Sequence, residues 1–328
     1  MQDAPNPNPL RLAAVVLNYK TPALVADCLA TLEHELDHTQ DEAIVVDNCS
    51  GDGSADEIQL TITGRGWSNW ARLVRSPVNG GFSAGNNAGM QAAHAEFYLL
   101  LNSDTLVRPG AVPELLRAAS QRPEAGLLGP RLEWPDGSPQ NSCFRDKSVW
   151  SELIAGAQSG PITKLLTKRD VTMGVFDEPT PADWVSFACV LIRREVLERV
   201  GPMDDGYFMY FEDADYCRKA RRDRFGVLHW PAARVVHLRG GSSPVKSNTA
   251  ARKRLPAYYY ASRSRYFATF GGRPLLIAAN AAWSICWLIA LARRVLHRRP
   301  IGTPSRALRD NWTAFMRPMR RWRPGGAA

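Results

Sequence analysis

Short apolar runs that end in small polar residues set the pattern of the first third of the chain. Leu12-Ala-Ala-Val-Val-Leu17 and Ala43-Ile-Val-Val-Asp47 are apolar almost without interruption, as in strands buried on both faces. Ala71–Arg75 and Phe97–Leu101 read as two further strands. Pro22 opens a helix predicted through Leu36, and a Gly/Asn-rich turn, Asn79–Gly89, leads into a helix predicted to reach Ala95. A helix over Pro109–Ser120 leads to Gly126–Pro130, after which the periodicity fades. Loops are expected from Trp134 to Pro181, with a mobile section near Gly160–Asp170. Trp184–Ile192 then reads as one strand, Arg194–Val200 as a short helix, and Glu212–Asp223 as a helix stopped by Gly226. Val227–Trp230 and Ala233–His237 read as two short strands. Strands alternating with helices predict an α/β fold with a mainly parallel central sheet. In such a sheet ligands bind beyond the carboxyl ends of the strands, where the polar residues of these runs lie.

Composition changes this picture little, and charge changes it at one end. The 328 residues are 45% hydrophobic and 22% charged, ordinary for a globular protein. The formal charge is +9, but from Arg273 onward the chain carries arginines, no lysine and a single acid, Asp310, which leaves the first part close to neutral. A nucleic-acid-binding body is therefore not indicated. The six cysteines form no CxxC pair, as expected of scattered thiols in a cytosolic protein. Residues 1–10 lack a basic and an apolar signal region and read as a disordered lead.

Three acidic positions stand out. Glu212, Asp213 and Asp215 open a helix between an aromatic run and a basic run, which suits a general base or metal ligation; first-turn acids that only complement the helix dipole are the plainer alternative. Asp47 closes a buried strand, where a carboxylate needs a hydrogen-bond partner. That partner is either a nucleobase N–H or its own turn. Asp104 ends another apolar strand and suits a divalent ion bridging two phosphates. The glycines at 80, 81, 85 and 89 lack G-x-G-x-x-G spacing, so a Rossmann dehydrogenase is poorly supported.

Taken in order, Val16-Leu-Asn-Tyr19, Val45–Ser54, Asn79–Asn87, Leu100-Leu-Asn-Ser-Asp104, Phe208–Arg218 and His237 resemble the family 2 inverting glycosyltransferases of the GT-A fold, nearest their rhamnosyltransferase-like branch. The resemblance implies a nucleoside-diphospho-sugar donor held by Asn18, Tyr19, Asp47, Asn79, Gly80, Asn86 and Ser103. It implies Mg2+ or Mn2+ at Asp104 and His237, with Asn102 as an uncharged first member of the DXD-like motif, and Asp213 as the base. Trp184, Tyr210 and Glu212 would line the acceptor and sugar pocket, with ordinary core packing as the alternative for each ring, and Tyr207 and Phe208 are further aromatic candidates. The domains implied are a nucleotide-sugar-binding half over 11–108, an acceptor-binding and catalytic half over 109–250, and a helical tail over 251–328. A sugar nucleotidyltransferase, or a non-catalytic glycan-assembly subunit, are the other readings.

In the tail, Pro274–Ala292 is uncharged and long enough to nominate a spanning helix. Leu308, Trp312, Phe315, Met319 and Trp322 follow helical spacing opposite Arg306, Arg309, Thr313, Arg317 and Arg320, with Pro318 as a break. A basic helix with tryptophans on its apolar side is expected to lie on the inner face of the cell membrane. A spanning helix, or a soluble helix packed on the body or on a partner, are the alternatives. The expected partners are the donor, a glycan or lipid-linked acceptor and the membrane surface, and not nucleic acid.

Overall fold

The apolar runs of the N-terminal third become β1 (Leu10–Asn18), β2 (Asp41–Asp47), β3 (Ala71–Arg75) and β4 (Ala95–Asn102), joined by α1 (Pro22–Leu32), α2 (Ser54–Gly64) and α3 (Gly81–Gln91). The computed structural model describes residues 9–239, 253–296 and 306–323; most of the predicted N-terminal lead lies outside them. The chain continues through β5 (Thr105–Val107), α4 (Ala111–Gln121), β6 (Ala125–Glu133), β7 (Cys143–Phe144), α5 (Val149–Ala157) and α6 (Gly160–Leu165). It then forms β8 (Thr180–Pro181), β9 (Trp184–Val185), β10 (Cys189–Arg193), α7 (Arg194–Val200), α8 (Glu212–Arg222) and β11 (Gly226–His237). Among the described residues one sheet of nine strands runs β3-β2-β1-β4-β10-β6-β11-β5, with β8 beside β11. The first four strands are parallel, as are β6 and β11. β10 is inserted antiparallel between β4 and β6 and so joins the two parallel sets.

Successive strand residues point to opposite faces, and both faces are covered. Leu12, Ala14 and Val16 join a core with α1, α2 and α4, whereas Ala13 and Val15 join one with α7 and α8. This two-sided burial is why β1 reads as a continuous apolar run.

Several predicted elements differ. The Asn79–Gly89 segment is mostly helix rather than turn, because its small residues serve packing. A Cβ at Gly85 would strike Leu17, and one at Gly89 would strike Val15 and Val46, so α3 lies directly on the sheet. α1 stops at Leu32 instead of Leu36, and Glu35 turns to accept the Gly110 and Val112 N–H groups (2.7 and 3.0 Å) at the start of α4. The stretch expected as loops contains α5, opened by a Ser148–Ser151 capping box, and α6. Trp184–Ile192 is split: β9 pairs with β7 in a separate small sheet, and only Cys189 onward enters the main one. The two short strands after Gly226 are one, β11, with Pro231 inside a register shift. Gly226 starts that strand, and Arg224 takes the left-handed turn (φ 68°) after α8.

The tail departs most. A long helix, α9 (Ala257–Leu296), is kinked at Gly271–Gly272. Its first half is buried against the body through Tyr266 and Phe267. Buried Arg263 donates to Glu152 of α5 (2.7 Å) and to Asn280 beyond the kink (2.5 Å), tying both halves of α9 to α5. The expected basic helix over 308–322 does not form. Helix is confined to a single turn, Ala307–Asp310, and Ala314 is left-handed (φ 60°). The carbonyls of Thr313, Met316 and Met319 accept side-chain bonds from Ser264, Arg273 and Arg265 of α9 (2.7, 3.2 and 2.7 Å). The segment is thus held to the body by its backbone.

Candidate active site

Parallel register sets the carboxyl ends of β1, β2 and β4 side by side, with Asn18 opposite Asp47 and Leu17 opposite Asn102. Asn18 is fully buried; its amide donates to Asp47 (2.8 Å), and its carbonyl oxygen accepts from the Thr21 backbone and hydroxyl (3.1 Å each). Asp47 also accepts from the Ser50 N–H (3.1 Å) and hydroxyl (2.6 Å). An ionised carboxylate has about four acceptor sites, so three bonds leave room for one further donor. Thr21 and Ser103 share a hydroxyl contact of 2.8 Å, which carries the network to the residue before Asp104. Tyr19 is half-buried beside it. On the other flank, Asn79 accepts from Asn48 and from the Gly81 N–H (3.1 Å each). Gly80 precedes α3, and Asn86 is buried with its side-chain oxygen unbonded among the described residues.

β11 brings His237 to Asp104. Antiparallel pairing sets His237 opposite Thr105, and the Leu238 N–H donates to the Asp104 carbonyl (2.9 Å). The His237 Nε2 lies 3.5 Å from Asp104 Oδ1. That is longer than a normal hydrogen bond and within the span of two ligands that each approach one ion to about 2.1 Å. Gln140 donates to the His237 carbonyl (2.8 Å) and accepts from Arg239. Arg239 is partly buried near Asp104; burial lowers its pKa, and the carboxylate opposes that shift.

The third part is the turn before α8. Gly81, at φ +87°, faces the Phe208 backbone, and the Phe82 N–H donates to the Phe208 carbonyl (2.7 Å). Tyr210 and Phe211 then both adopt left-handed conformations (φ 71° and 72°), each at a cost of roughly 1–2 kcal/mol. This strained turn separates the acids that follow. Asp215 is buried, ion-paired to Lys219 (2.6 Å) and hydrogen-bonded by the Tyr207 hydroxyl (3.1 Å). Glu212 is buried, with Oε2 unbonded among the described residues. Burial first, and then repulsion from Asp213 and Asp215, push its pKa well above the carboxylate range. Asp213 is half-buried, at the positive end of α8, and accepts from the Ala214 N–H (2.8 Å). Half-buried Lys147 has its pKa lowered by desolvation, a shift that the charges of Glu152 and Asp213 oppose. Asp213 is therefore the member of the three acids that a ligand can reach.

Because the folded-state pKa of Glu212 is raised, folded protein binds its proton more tightly than unfolded protein. Its contribution to stability is full below the ordinary carboxylate pKa and is lost as pH rises through the raised value. Glu212→Gln should therefore melt progressively higher than the parent as pH rises above the ordinary carboxylate range. Melting curves that stay parallel above that range would contradict this assignment.

Trp184 and Tyr207 are core residues by their contacts. The Trp184 ring stacks on Phe144 (4.1 Å) and donates to the Arg145 carbonyl (2.8 Å), and Tyr207 is fully buried. Tyr210 stacks parallel to Tyr258 of α9 at 6.4 Å. Among the described residues no three His, Cys, Asp or Glu side chains are grouped so as to hold a metal ion, and Asp104 and His237 are a pair. Asn48, Ser50, Lys147, Gln140 and Arg239 are absent from the residues singled out in sequence. Ser50 and Asn48 adjoin Asp47 and had a local signal, whereas the others are brought in by long-range contacts.

Comparison with known proteins gives one family. The model of glycosyl transferase family 2 matches residues 13–201. Over 158 residues the chain is 33% identical to an N-acetylglucosaminyl-diphospho-decaprenol L-rhamnosyltransferase of Mycobacterium tuberculosis, covering 45% of this chain and 48% of the relative. It thus spans about half the length of that relative. At 22% identity it is similar to the low-salt glycan biosynthesis hexosyltransferase Agl10 of Haloferax volcanii, over 69% of this chain and 66% of that one. Among solved structures, the mannosyltransferase PcManGT from Pyrobaculum calidifontis, in complex with GDP-Man and Mn2+, has a TM-score of 0.53 at 17% identity and covers 90% of this chain and 78% of its own. GalNAc-T7 with UDP, GalNAc and Mn2+ has a TM-score of 0.56 at 15% identity, covering 89% and 59%. At these identities the likeness is one of fold.

Proposed function

Because the chain belongs to glycosyl transferase family 2, in its rhamnosyltransferase-like branch and with the GT-A fold, we propose that it is an inverting glycosyltransferase. Its donor is a nucleoside-diphospho-sugar, with rhamnose the favoured sugar, and its acceptor is a lipid-diphosphate-linked glycan. What supports this reading is a pair of polar edges linked through Asn48, the neighbour of Asp47, whose amide donates to the Gly81 carbonyl (3.0 Å). One is the Asn18–Asp47–Ser103 network with Asp104 and His237 beyond it. The other is the Gly81–Phe208 contact that seats the Asp213 turn against α3.

A carboxylate oxygen and an imidazole nitrogen 3.5 Å apart fit a divalent cation of the Mn2+ or Mg2+ type. Asp104 and His237 would hold such an ion, and the two structural relatives were solved with Mn2+. Such an ion supplies neutralisation of the charge that builds on the departing diphosphate. Asp47, with one acceptor site left, takes a base N–H of the nucleotide. Arg239 adds positive charge beside Asp104. Asp213 takes the proton from the acceptor hydroxyl as its oxygen bonds to the anomeric carbon, while the bond from that carbon to the diphosphate breaks on the opposite face. The sugar is thereby inverted.

Transfer onto a polyprenyl-diphosphate-linked sugar should be seen with one nucleoside-diphospho-sugar of a tested panel. Chelation should remove it, and added Mn2+ or Mg2+ should restore it. Asp104→Ala and His237→Ala should each lower kcat by about a hundredfold or more. Turnover unaffected by chelator and by both substitutions would overturn the metal assignment. Absence of transfer from every donor would overturn the activity.

The membrane is the acceptor's source in this reading, and α9 is the element that meets it. Among the described residues it is the one helix long and apolar enough to cross a membrane. Ile277, Ile285, Leu288 and Ile289 lie exposed on one face, and Leu276, Ala279, Asn280 and Ala290 lie buried on the opposite one. That one-sided burial favours a helix lying on the cytosolic membrane face over one spanning it.

A further inference from the structure

The 312–323 segment, with Ala261 of α9, lines an open cavity of about 660 Å³ that presents Arg317, Arg320, Arg321 and Arg323 together with Trp312 and Trp322. It lies apart from the Asp104–His237 edge, and nothing described so far uses it. Arg321 pairs with Asp205 (2.6 Å). Among the described residues no ion pair engages the other three arginines, which are exposed. A planar guanidinium, fully charged at any working pH, matches phosphate oxygens two at a time.

Two neighbours restrict what the anion belongs to. Trp322 meets Phe208 at a tilt (centroids 4.7 Å apart) and Tyr258 edge to face (5.5 Å), so one aromatic layer separates the cavity from the turn that carries Asp213. On the other side, Arg273 donates to the Met316 carbonyl (3.2 Å) and joins the segment to the start of the outward apolar face of α9. Met316 and Met319, 72% and 51% exposed, extend that apolar surface to the cavity rim. An occupant with a diphosphate, a sugar on one side of it and a long apolar chain on the other satisfies all three neighbours at once.

We propose that this arginine-lined cavity binds the diphosphate of a lipid-linked acceptor, with the sugar directed past Trp322 toward Asp213 and the lipid along the exposed face of α9. The inference rests on the glycosyltransferase reading for the sugar's destination. The binding site itself stands on the cavity and its charges.

The test is equilibrium binding to the full chain in detergent micelles, with farnesyl diphosphate as probe and farnesol, inorganic pyrophosphate and a nucleoside diphosphate as comparators. Farnesyl diphosphate should bind at least about tenfold more tightly than farnesol or pyrophosphate. R317Q/R320Q should lose about tenfold or more of that affinity while nucleoside diphosphate binding and melting temperature are retained. R317K/R320K, which keeps the charge and loses the forked geometry, should fall between them and serves if the glutamine variant does not fold. Equal affinity of all variants for farnesyl diphosphate would overturn the proposal, as would pyrophosphate binding as tightly as the lipid. Arginine-dependent binding of farnesyl diphosphate without detectable sugar transfer would retain the site and reject the activity.

Discussion

Asp213→Asn is expected to lower kcat by about 10²–10⁴-fold, the range a positioned general base contributes, with donor affinity unchanged. The substitution keeps the side chain's shape and its acceptor bond from the Ala214 N–H (2.8 Å); what it removes is basicity. The neighbouring acids are poor substitutes. Asp215 is tied to Lys219 and Tyr207, and Glu212 is buried, where desolvation raises its pKa. Steady-state kinetics beside calorimetric donor binding would check the split. A variant within about threefold of the parent rate, or one that loses donor binding as well, would refute the assignment of Asp213 as base.

The second large effect is expected at a residue that touches no substrate. At Gly81 the backbone is at φ +87°, and an added Cβ would collide with the carbonyl oxygen, Cα and carbonyl carbon of Phe208. None of these atoms can rotate away. Gly81→Ala must therefore shift the 208–212 turn and break the Phe82–Phe208 hydrogen bond (2.7 Å), which displaces Asp213. A displacement of about 1 Å costs on the order of a hundredfold in rate, and the same loss is expected in kcat here. Gly110→Ala is the control: its φ is +82°, but nothing lies within 4 Å of the new Cβ. It should lower stability by about 1–2 kcal/mol and leave the rate alone. Equal kinetic effects of the two alanines would remove the positioning role of the Gly81 contact.

Much of this arrangement was legible residue by residue. The strands that end at Asn18 and Asp47, and β4 before the turn that holds Asp104, are visible because each is buried on both faces and therefore apolar along its length. Less visible were elements whose residues serve a partner far away in the chain. The Asn79–Gly89 glycines resemble a turn, and only the proximity of Leu17, Val15 and Val46 explains them as a helix pressed on a sheet. α5 has little periodicity of its own because its packing partner is α9, reached through Gly156 against the Trp283 backbone. The 308–322 spacing looked amphipathic, yet its carbonyls bond side chains of α9, a preference that periodicity does not encode.

By itself the sequence determined that a set of parallel strands would end in polar residues along one edge, since apolar runs of similar length, joined by helices, must bring their carboxyl ends together. It also determined that acids would open α8, because capping and dipole preferences are local. The tertiary structure alone decided that His237 faces Asp104, which follows from the register of β11 on β5, and that Asp213 is the reachable acid of three. Pattern specifies which face of an element is buried. Which neighbour covers that face, and at what register, is set by contacts between residues far apart in the chain.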